Sequence, residues 1–357
     1  MIRVGSVGLG NISKGVHIPG IQASPDLELT AICDIDPKVL KERAEMYGIP
    51  EDHCFTDYRE LIDCPDVDAV DISVPNHVHA KIAEYAARAG KPYALEKPVT
   101  MDRKEALHLY EVTRENAVKN MVCFSYRFKP AARYAKALIE SGALGRIYHV
   151  NMQYFQAWGL PMMNTALLWR FKKSITGSGA LGDLACHAMD LCTFITGEKY
   201  AKVCAHLGTF VHERPLLNGE GTGKVDVDDY SNILAETESG AAFSFEITRF
   251  AYGRGNYQRL EIYGDRGAMI YHLDREESGV NELEYANEET GRKFVMAEIP
   301  EEYKGDQMQS FADILNDCGD GLPATMADGV ASQRLMDAVL DSAEKGAWVD
   351  VRGYMEV

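Results

Sequence analysis

Two polar residues four positions apart, Asp183 and His187, could move a proton at a bound hydroxyl group. At this spacing on a helix both side chains lie on one face and can reach the same ligand. A histidine with an ordinary pKa near 6.5 can accept a hydroxyl proton, and a neighbouring carboxylate can orient that base or hold further hydroxyl groups. The glycines of Gly177–Gly182 leave the start of this helix sterically open to a polyol. A capping aspartate and a core histidine would give the same pattern.

A third candidate, Lys97, follows the predicted strand Pro92–Leu95 within the segment Glu96-Lys97-Pro98. Ligands bind at the carboxyl ends of strands in a doubly wound sheet. A lysine there can donate a hydrogen bond to a substrate hydroxyl and relay its proton if partial burial lowers its pKa. An isolated lysine before a turn would instead be a surface residue. We expect Lys97, Asp183 and His187 to form the catalytic set and to contact the substrate.

A glycine-rich turn follows the first predicted strand, Ile2–Val7, and precedes a helical stretch, which is the context of a dinucleotide site. Gly8 permits a tight turn, Gly10 lets backbone N–H groups approach a pyrophosphate, and Ser13 stands where a third glycine is usual. Asp34 ends the second predicted strand, where its carboxylate can bind the adenosine ribose and would repel a 2′-phosphate, so NAD is favoured over NADP. A plain βα turn with a capping Asp34 is the alternative. The turn residues expected to contact the cofactor are Gly8, Gly10, Asn11, Ile12 and Ser13.

The elements that must position these residues change in character along the chain. Short apolar runs alternate with helical patterns in the first third and predict parallel βαβ units. Beyond about residue 125, segments of alternating polarity predict an open, mostly antiparallel sheet with one covered face. We expect an α/β Rossmann domain at 1–123 and an α+β substrate-binding domain at 124–357. The second would end in helices near Asp306–Asp317 and Asp328–Lys345, and Asn218–Asp229 is predicted to be a long exposed loop or lid.

Four segments from both halves of the chain carry a more specific pattern. They are Ser73-Val74-Pro75-Asn76-His77-Val78-His79, Gly90-Lys91-Pro92-Tyr93, Leu95-Glu96-Lys97-Pro98 and Gly177-Ser178-Gly179-Ala180-Leu181-Gly182-Asp183-Leu184-Ala185-Cys186-His187. Together they resemble the Gfo/Idh/MocA family of nicotinamide-dependent sugar and inositol oxidoreductases, over essentially the whole chain. The resemblance implies a cis peptide before Pro98. It also implies a homo-oligomer, a dimer or tetramer, that pairs through the exposed face of the second-domain sheet.

The resemblance extends the set of candidate site residues. The further residues that it places at the cofactor are Val74, Pro75, Asn76, His79, Glu96, Lys97 and Arg127. Arg127 would contact the nicotinamide or the substrate, whereas the histidine that matches His79 is mostly structural in similar proteins. The stretch that lines the sugar pocket in similar proteins contains Tyr154, Trp158, Trp169 and Arg170. These aromatic rings fit either the apolar face of a sugar or the protein core.

The function expected from these features is NAD-dependent oxidation of a secondary ring hydroxyl of a pyranose or glycoside, with C3 among the candidate carbons. Inositol 2-dehydrogenase is the second expectation. A redox-neutral glycoside hydrolase or lyase that retains and recycles its NAD would use the same nucleotide fold. A non-catalytic NAD-binding regulator ranks last because Lys97, Asp183 and His187 are all present.

Charge and composition exclude other classes of protein. The chain has 357 residues, with 54 acidic and 37 basic side chains and a formal net charge of −17, which argues against a nucleic acid or an anionic membrane as partner. No run approaches the roughly 18 apolar residues of a membrane span, and no secretory signal is apparent, so we expect a cytoplasmic protein. The eight cysteines lack a C-x-x-C pair, and His77 and His79 lack a third ligand, so no metal site is expected.

Overall fold

The computed structural model describes residues 1–274 and 280–354. The chain divides into two compact units, Met1–Ser125 with Gly305–Val330, and Tyr126–Lys304 with Ala331–Val357. The domain predicted at 124–357 therefore differs from the structure at Gly305–Val330, which returns to the first unit. None of the helices in the described ranges is both long and apolar enough to cross a membrane.

The first unit contains a parallel sheet with helices between its strands. The strands are β1 (Ile2–Val7), β2 (Leu27–Cys33), β3 (Cys54–Phe55), β4 (Ala69–Ile72), β5 (Tyr93–Leu95) and β6 (Asn120–Val122). The helices are α1 (Ile18–Ala23), α2 (Pro37–Tyr47), α3 (Tyr58–Asp63), α4 (His79–Arg88) and α5 (Arg103–Glu115). The strand order is β3-β2-β1-β4-β5-β6, which is the order of a dinucleotide-binding Rossmann sheet. The predicted Rossmann fold is confirmed.

Helix α4 illustrates why the sequence forms these elements. Ile82 and Ala86, four residues apart, are both buried, so the apolar residues lie on one helix face and pack toward the sheet. Gly90 follows the helix with a φ of +69°, a left-handed conformation that glycine adopts without steric cost. The chain then enters β5, which carries Lys97 just beyond its carboxyl end.

The second unit contains the large sheet. Its helices before residue 200 are α6 (Pro130–Glu140), α7 (Lys173–Thr176) and α8 (Cys186–Thr196). Its strands are β7 (Ile147–Phe155), β8 (Tyr200–Gly208), β9 (Glu213–Pro215), β10 (Thr222–Lys224), β11 (Tyr230–Thr237), β12 (Ala242–Thr248), β13 (Tyr257–Gly264), β14 (Gly267–Asp274), β15 (Val280–Asn287), β16 (Val295–Met296) and β17 (Val349–Asp350). The last helices of the chain are α9 (Gln307–Leu315) and α10 (Met326–Lys345).

The order of the large sheet is β16-β15-β14-β13-β7-β12-β11-β8-β17, and a separate two-stranded sheet is formed by β9 and β10. In the large sheet β7 and β12 run parallel, whereas the other neighbouring strands pair antiparallel. Ser231, Ile233 and Ala235 on β11 are buried, and Asn232 and Leu234 between them are exposed. The alternation leaves one face of the strand covered, which confirms the predicted open, mostly antiparallel sheet.

Helix α9 explains why Gly305–Val330 belongs to the first unit. Its side chains Met308 and Ala312 pack in one buried cluster with Val4, Ile21 and Leu27. The carboxylate of Asp306 accepts hydrogen bonds from two backbone N–H groups of the first turn and caps the helix. The predicted helix was therefore correct, but the apolar positions of a helix do not identify the sheet that they cover.

The segment Asn218–Asp229, predicted to be a long exposed loop or lid, is exposed over residues 218–222 and largely buried from Val225 onward. Strands β9 and β10 pair antiparallel as a hairpin that includes the first part of this segment. Val225 and Val227 then pack with Leu167 and Phe171 in a buried cluster. The glycines of the segment lie in the hairpin, whereas its apolar residues anchor the following chain to the second unit.

Candidate active site

The glycine-rich turn after β1 has the geometry that a dinucleotide requires. Gly8 has a φ of +88°, and a Cβ atom there would lie 2.6 Å from the carbonyl oxygen of Ser73. No described atom lies within 4 Å of the position that a Cβ atom on Gly10 would occupy. Ser13 is fully buried, and its Oγ lies 3.4 Å from the Oγ of Ser6 on β1. A tight turn, an open glycine and a small buried third residue fit the binding of a pyrophosphate.

Asp34 is connected directly to this turn. Its Oδ2 accepts a hydrogen bond from the backbone N–H of Leu9 at 2.9 Å, and its Oδ1 accepts one from Asp36 at 2.9 Å. The side chain is half-buried at the end of β2, and the exposed Ile35 follows it. The carboxylate is thus fixed beside the turn. The next three residues, Ile35, Asp36 and Pro37, include no cation, which fits a ribose and disfavours a 2′-phosphate.

Replacing Asp34 by alanine is expected to lower the preference for NAD over NADP by about tenfold or more, about 1.4 kcal/mol, because the charge that repels a 2′-phosphate is lost. The ratio of kcat/KM for the two cofactors measures the effect. Asp34→Asn is the matched variant, since an amide oxygen can still accept the Leu9 N–H bond. An unchanged ratio in Asp34→Ala would remove Asp34 from cofactor selection.

The loop after β4 lies against the same turn. The hydroxyl of Ser73 donates to the carbonyl oxygen of Gly8 at 2.9 Å, and Val74 would contact a Cβ atom on Gly8 at 2.7 Å. Pro75 precedes the short helical turn Asn76–Val78, in which Asn76 is buried. This loop therefore extends the carboxyl edge of β1 and β4, the edge where a cofactor binds in this fold.

His79 holds two loops together. Its Nδ1 lies 2.7 Å from the carbonyl oxygen of Pro98, and its Nε2 lies 2.7 Å from that of Val74. The ring is buried, and burial lowers its pKa. Both ring nitrogens face backbone carbonyl groups, so the residue braces the loops after β4 and β5. A direct cofactor contact by His79 stays a prediction.

Lys97 directly follows this edge, on the loop after β5. The Lys97–Pro98 peptide bond is cis, as the resemblance implied. The Lys97 side chain is half-buried, and its backbone N–H donates to Oε2 of Glu96 at 3.2 Å. The other carboxylate oxygen of Glu96 faces the interior and lies 3.0 Å from Nε2 of His17. The Glu96 carboxylate therefore bonds within the protein, and its contact with the cofactor stays a prediction.

His17 was not identified from the sequence. Its ring is fully buried, with Nδ1 at 2.6 Å from Oδ1 of Asp71 and Nε2 bonded to Glu96. Burial by itself would lower the pKa of His17, but the two carboxylates outweigh burial and raise it to about 10. The same interaction keeps the pKa of Glu96 below its usual value despite burial. Its only sequence signal is a histidine between the apolar residues Val16 and Ile18.

Because His17 binds its proton more tightly in the folded protein than in an unfolded chain, the stability of the protein should depend on pH. The pKa is about 10 in the folded protein and about 6.5 in an unfolded chain, so the stabilisation is complete below the lower value and is lost toward the higher one. In this interval the free energy of unfolding should fall by up to about 1.4 kcal/mol per pH unit. Urea unfolding at successive pH values measures the slope. His17→Gln should flatten it, and equal slopes in both proteins would contradict the assignment.

In the second unit, a buried carboxylate fixes the turn before Asp183. Oδ1 of Asp228 accepts from the N–H of Gly179 at 2.6 Å, and Oδ2 accepts from the N–H of Leu181 at 2.8 Å. A Cβ atom on Gly179 would lie 1.9 Å from the carbonyl oxygen of Asp228, so only glycine fits there. Asp183 lies in the π-helical turn Leu181–Ala185, which continues into α8 with His187 in its first turn. Both residues thus lie on one continuous helical segment.

Asp183 is held by a residue that sequence reasoning missed. Nη2 of Arg249, just after β12, lies 3.3 Å from Oδ2 of Asp183. The Arg249 side chain is 1% exposed and its guanidinium lies 4.7 Å from the ring centre of Trp158, while the Asp183 side chain is 22% exposed. The ion pair fixes the carboxylate and leaves part of it accessible. An arginine after an apolar strand was the only signal.

His187 adjoins a network of neutral polar groups. Its ring lies 4.8 Å from that of Tyr126 in an edge-to-face arrangement, and the Tyr126 hydroxyl lies 2.5 Å from that of Tyr154. Asn256 accepts from Tyr154 at 2.8 Å and from Gln156 at 2.7 Å. Gln156 in turn accepts from Nε1 of the half-buried Trp158 at 2.7 Å. The network joins Tyr154 and Trp158, both predicted substrate residues, to the surroundings of His187.

Three other predicted residues have structural partners. The Arg127 guanidinium donates to both oxygens of Asp190, at 2.9 and 2.6 Å, and both side chains are buried. This bidentate ion pair binds Arg127 to α8, and a contact of Arg127 with the cofactor or substrate stays a prediction. Trp169 and Arg170 lie in the short turn Trp169–Phe171, with the guanidinium stacked 4.4 Å from the Trp169 ring centre. Both are half-buried.

The structure therefore places the predicted residues in two sets. The first unit contains the glycine-rich turn, Asp34, the loop after β4 and Lys97. The second unit contains Asp183, His187, Tyr154 and Trp158. Arg249 contacts both Asp183 and Trp158 there, and the neutral network bonds to Trp158.

Comparison with known proteins assigns both units. Residues 2–124 match the model of an oxidoreductase family with an NAD-binding Rossmann fold, and residues 132–270 match the GFO/IDH/MocA C-terminal domain. A levoglucosan dehydrogenase of Pseudarthrobacter phenanthrenivorans is 35% identical over 352 residues, covering 90% of this chain and 88% of that protein. The inositol 2-dehydrogenase of Rhizobium meliloti is 28% identical over 351 residues, covering 96% of this chain and 98% of that protein.

Solved structures give the same assignment. Levoglucosan dehydrogenase in complex with NADH matches this chain with a TM-score of 0.88 and 34% identity, covering 98% of this chain and 99% of that one. The complex of levoglucosan dehydrogenase with NADH and L-sorbose also has a TM-score of 0.88, at 33% identity, and covers 100% of both chains. The predicted Rossmann fold, family and NAD-binding class are confirmed, and the chain belongs to the Gfo/Idh/MocA family of NAD-binding oxidoreductases.

Proposed function

We propose that this protein is an NAD-dependent dehydrogenase that oxidises a secondary ring hydroxyl of a neutral pyranose or glycoside, with C3 among the candidate carbons. The observation that carries the proposal is the arrangement around α8. Asp183 and His187 lie on one helical segment, beside tyrosine and amide groups that can bind hydroxyl groups and beside the half-buried Trp158. Polar groups together with an aromatic face are suited to a sugar ring.

The charges of the second unit favour a neutral substrate. Arg249 pairs with Asp183, and Arg127 pairs with Asp190. Arg214 donates to the carbonyl oxygens of Gly159 and Thr165, at 2.5 and 3.3 Å. A sugar acid would need a cation for its carboxylate. Asp190 binds the Arg127 guanidinium through both carboxylate oxygens, and Arg249 and Arg214 are each bonded through part of the guanidinium group. Hydroxyl groups can instead bond to the accessible part of Asp183.

In this reaction His187, Lys97 and Asp183 would each have a separate role. NAD supplies the hydride acceptor when it is bound at the glycine-rich turn of the first unit. His187 accepts the proton of the reacting hydroxyl, and Lys97 donates a hydrogen bond to that oxygen while the proton leaves. Asp183, held by Arg249, orients the remaining hydroxyl groups of the substrate. Reduction of a ketose would use the same groups in reverse.

A test measures NADH formation by absorbance with neutral pyranoses, glycosides, inositols and uronic acids as separate panels. We expect turnover in the pyranose or glycoside panel and none with the uronic acids. The redox-neutral alternative would convert a glycoside without net NADH, so products are followed by chromatography in parallel. Absence of both NADH and product in every panel would contradict the proposal.

Inositol oxidation is the second candidate because the Rhizobium meliloti inositol 2-dehydrogenase matches nearly the whole chain. Inositol and a pyranose both present secondary hydroxyl groups on a six-membered ring, so the same residues could serve either. The ratio of kcat/KM for the best inositol and the best pyranose decides between them.

We also propose a cytoplasmic homo-oligomer, a dimer or tetramer. The family relationship supports pairing through the outer face of the second-unit sheet, where Tyr148 and Leu234 are about half exposed. The cysteines are present as thiols, which fits a reducing compartment. Light scattering during gel filtration measures the number of subunits, and a monomer at working concentration would exclude the oligomer.

A further inference from the structure

The buried cluster of His17, Asp71 and Glu96 is not used by the proposed reaction. Asp71 is fully buried, and its second oxygen accepts a hydrogen bond from the Ser6 hydroxyl at 2.8 Å. Each ring nitrogen of His17 faces a carboxylate oxygen, at 2.6 Å for Asp71 and 3.0 Å for Glu96. A neutral ring has one N–H group and one lone pair, and that lone pair would then face a carboxylate. The geometry therefore fits an imidazolium that donates both bonds.

The cluster connects the three parts of the first unit that surround the predicted cofactor edge. His17 ends the helical segment Ser13–His17, which starts at the glycine-rich turn. Asp71 lies on β4, and Glu96 follows β5. The free oxygen of Glu96 accepts the backbone N–H of Lys97 at 3.2 Å. A continuous series of bonds thus runs from the helix after the glycine-rich turn, through the imidazolium and Glu96, to the backbone of Lys97.

This series of hydrogen bonds depends on the positive charge of His17. Two buried carboxylates repel each other, and a cation between them offsets both their repulsion and their desolvation. The other titratable groups around the cluster are Cys123, His79 and Lys97. Burial raises the pKa of the Cys123 thiol and lowers that of His79, so neither supplies a second cation within the cluster. The Lys97 side chain adds to the larger effect of His17 in lowering the pKa of Glu96. Without His17, Glu96 would have to become protonated or turn away from Asp71.

We propose that His17 is a positioning residue for the reaction: its imidazolium holds Glu96, and through Glu96 the backbone of Lys97, in the orientation that directs the lysine toward the reacting hydroxyl. This inference rests on the proposed role of Lys97. It assigns His17 no contact with substrate or cofactor, because the ring is fully buried.

The first experiment compares His17→Gln with His53→Gln. His53 is a matched control, because it also lies between two carboxylates, Asp52 and Asp66, but it is partly exposed and lies beside the edge strand β3. We expect His17→Gln to lower kcat by about 10-fold to 10²-fold, as misplacement of a catalytic group does, with the KM for substrate and the affinity for NAD nearly unchanged. His53→Gln should retain wild-type kcat.

A second variant, His17→Ala, leaves a cavity between the two carboxylates. Added imidazole should restore part of its kcat and should restore none to Lys97→Ala. Nuclear magnetic resonance of ring-labelled histidine in the wild-type protein should show His17 protonated at both nitrogens at mildly alkaline pH. This measurement requires neither substrate nor a variant that folds.

The outcomes separate this inference from the proposed function. If the wild-type protein oxidises a sugar and folded His17→Gln matches its kcat, the positioning role is wrong while the function stands. A neutral His17 ring at mildly alkaline pH would also overturn the role. If the wild-type protein turns over no sugar, polyol or glycoside, the proposed function itself fails, whatever the resonance measurement shows.

Discussion

Lys97→Ala should lower kcat by about 10²-fold or more while leaving the affinity for NAD nearly unchanged. The structure places this lysine at the carboxyl end of β5, on a cis peptide bond and beside a buried network that holds its backbone. Alanine removes the hydrogen bond that the lysine donates to the reacting oxygen, whereas the glycine-rich turn stays intact. Steady-state kinetics with the best sugar, together with NAD titration by fluorescence, measure both quantities.

The control for this experiment is Lys104→Ala, which removes an exposed lysine of the same unit near the start of α5. It should behave as wild type. If Lys97→Ala retains full turnover, the lysine has no part in the reaction. If it loses NAD affinity as much as kcat, its role is in cofactor binding instead.

His187→Ala should also lower kcat by about 10²-fold or more, because the proton acceptor for the substrate hydroxyl is removed. Its ring is buried to 7% exposure and packs against Tyr126, so the variant is also expected to lose some stability. Melting temperature is therefore recorded with the kinetics. NAD affinity should not change, since the nucleotide-binding turn lies in the other unit.

His212→Ala provides the matched control, since His212 is an exposed histidine of the second unit just before β9. A His187→Ala protein that is folded, binds NAD and turns over at the wild-type rate would exclude His187 as the base. A slower enzyme whose rate recovers with added imidazole would support the assignment directly.

The sequence was most informative where local chemistry decides structure. Strand β1 occupies the predicted residues Ile2–Val7, and the last predicted helix ends at Lys345 as expected. The turn at Gly8 also has the predicted geometry, because a glycine after an apolar strand and before a helix has few alternatives. The spacing of Asp183 and His187 placed them correctly on one helical segment.

Residues whose roles depend on distant partners could not be found in this way. His17 meets carboxylates 54 and 79 positions away, and Arg249 meets Asp183 66 positions away. Contacts between residues so far apart along the chain leave no pattern in a single sequence. The same reason explains the internal partners of predicted site residues: the sequence around Arg127 suggests a ligand contact, and the structure pairs Arg127 with Asp190, 63 positions later. Glu96 and His79 likewise bond to groups inside the protein.

The return of Gly305–Val330 to the first unit has a consequence for protein engineering. A fragment that stops near residue 125 would lack Met308 and Ala312 and would leave Val4, Ile21 and Leu27 without their cover. An isolated nucleotide-binding fragment should therefore carry the later segment through a linker. For the same reason, chimeras that exchange substrate specificity between relatives need three crossover points, after residues 125, 304 and 330, instead of a single junction.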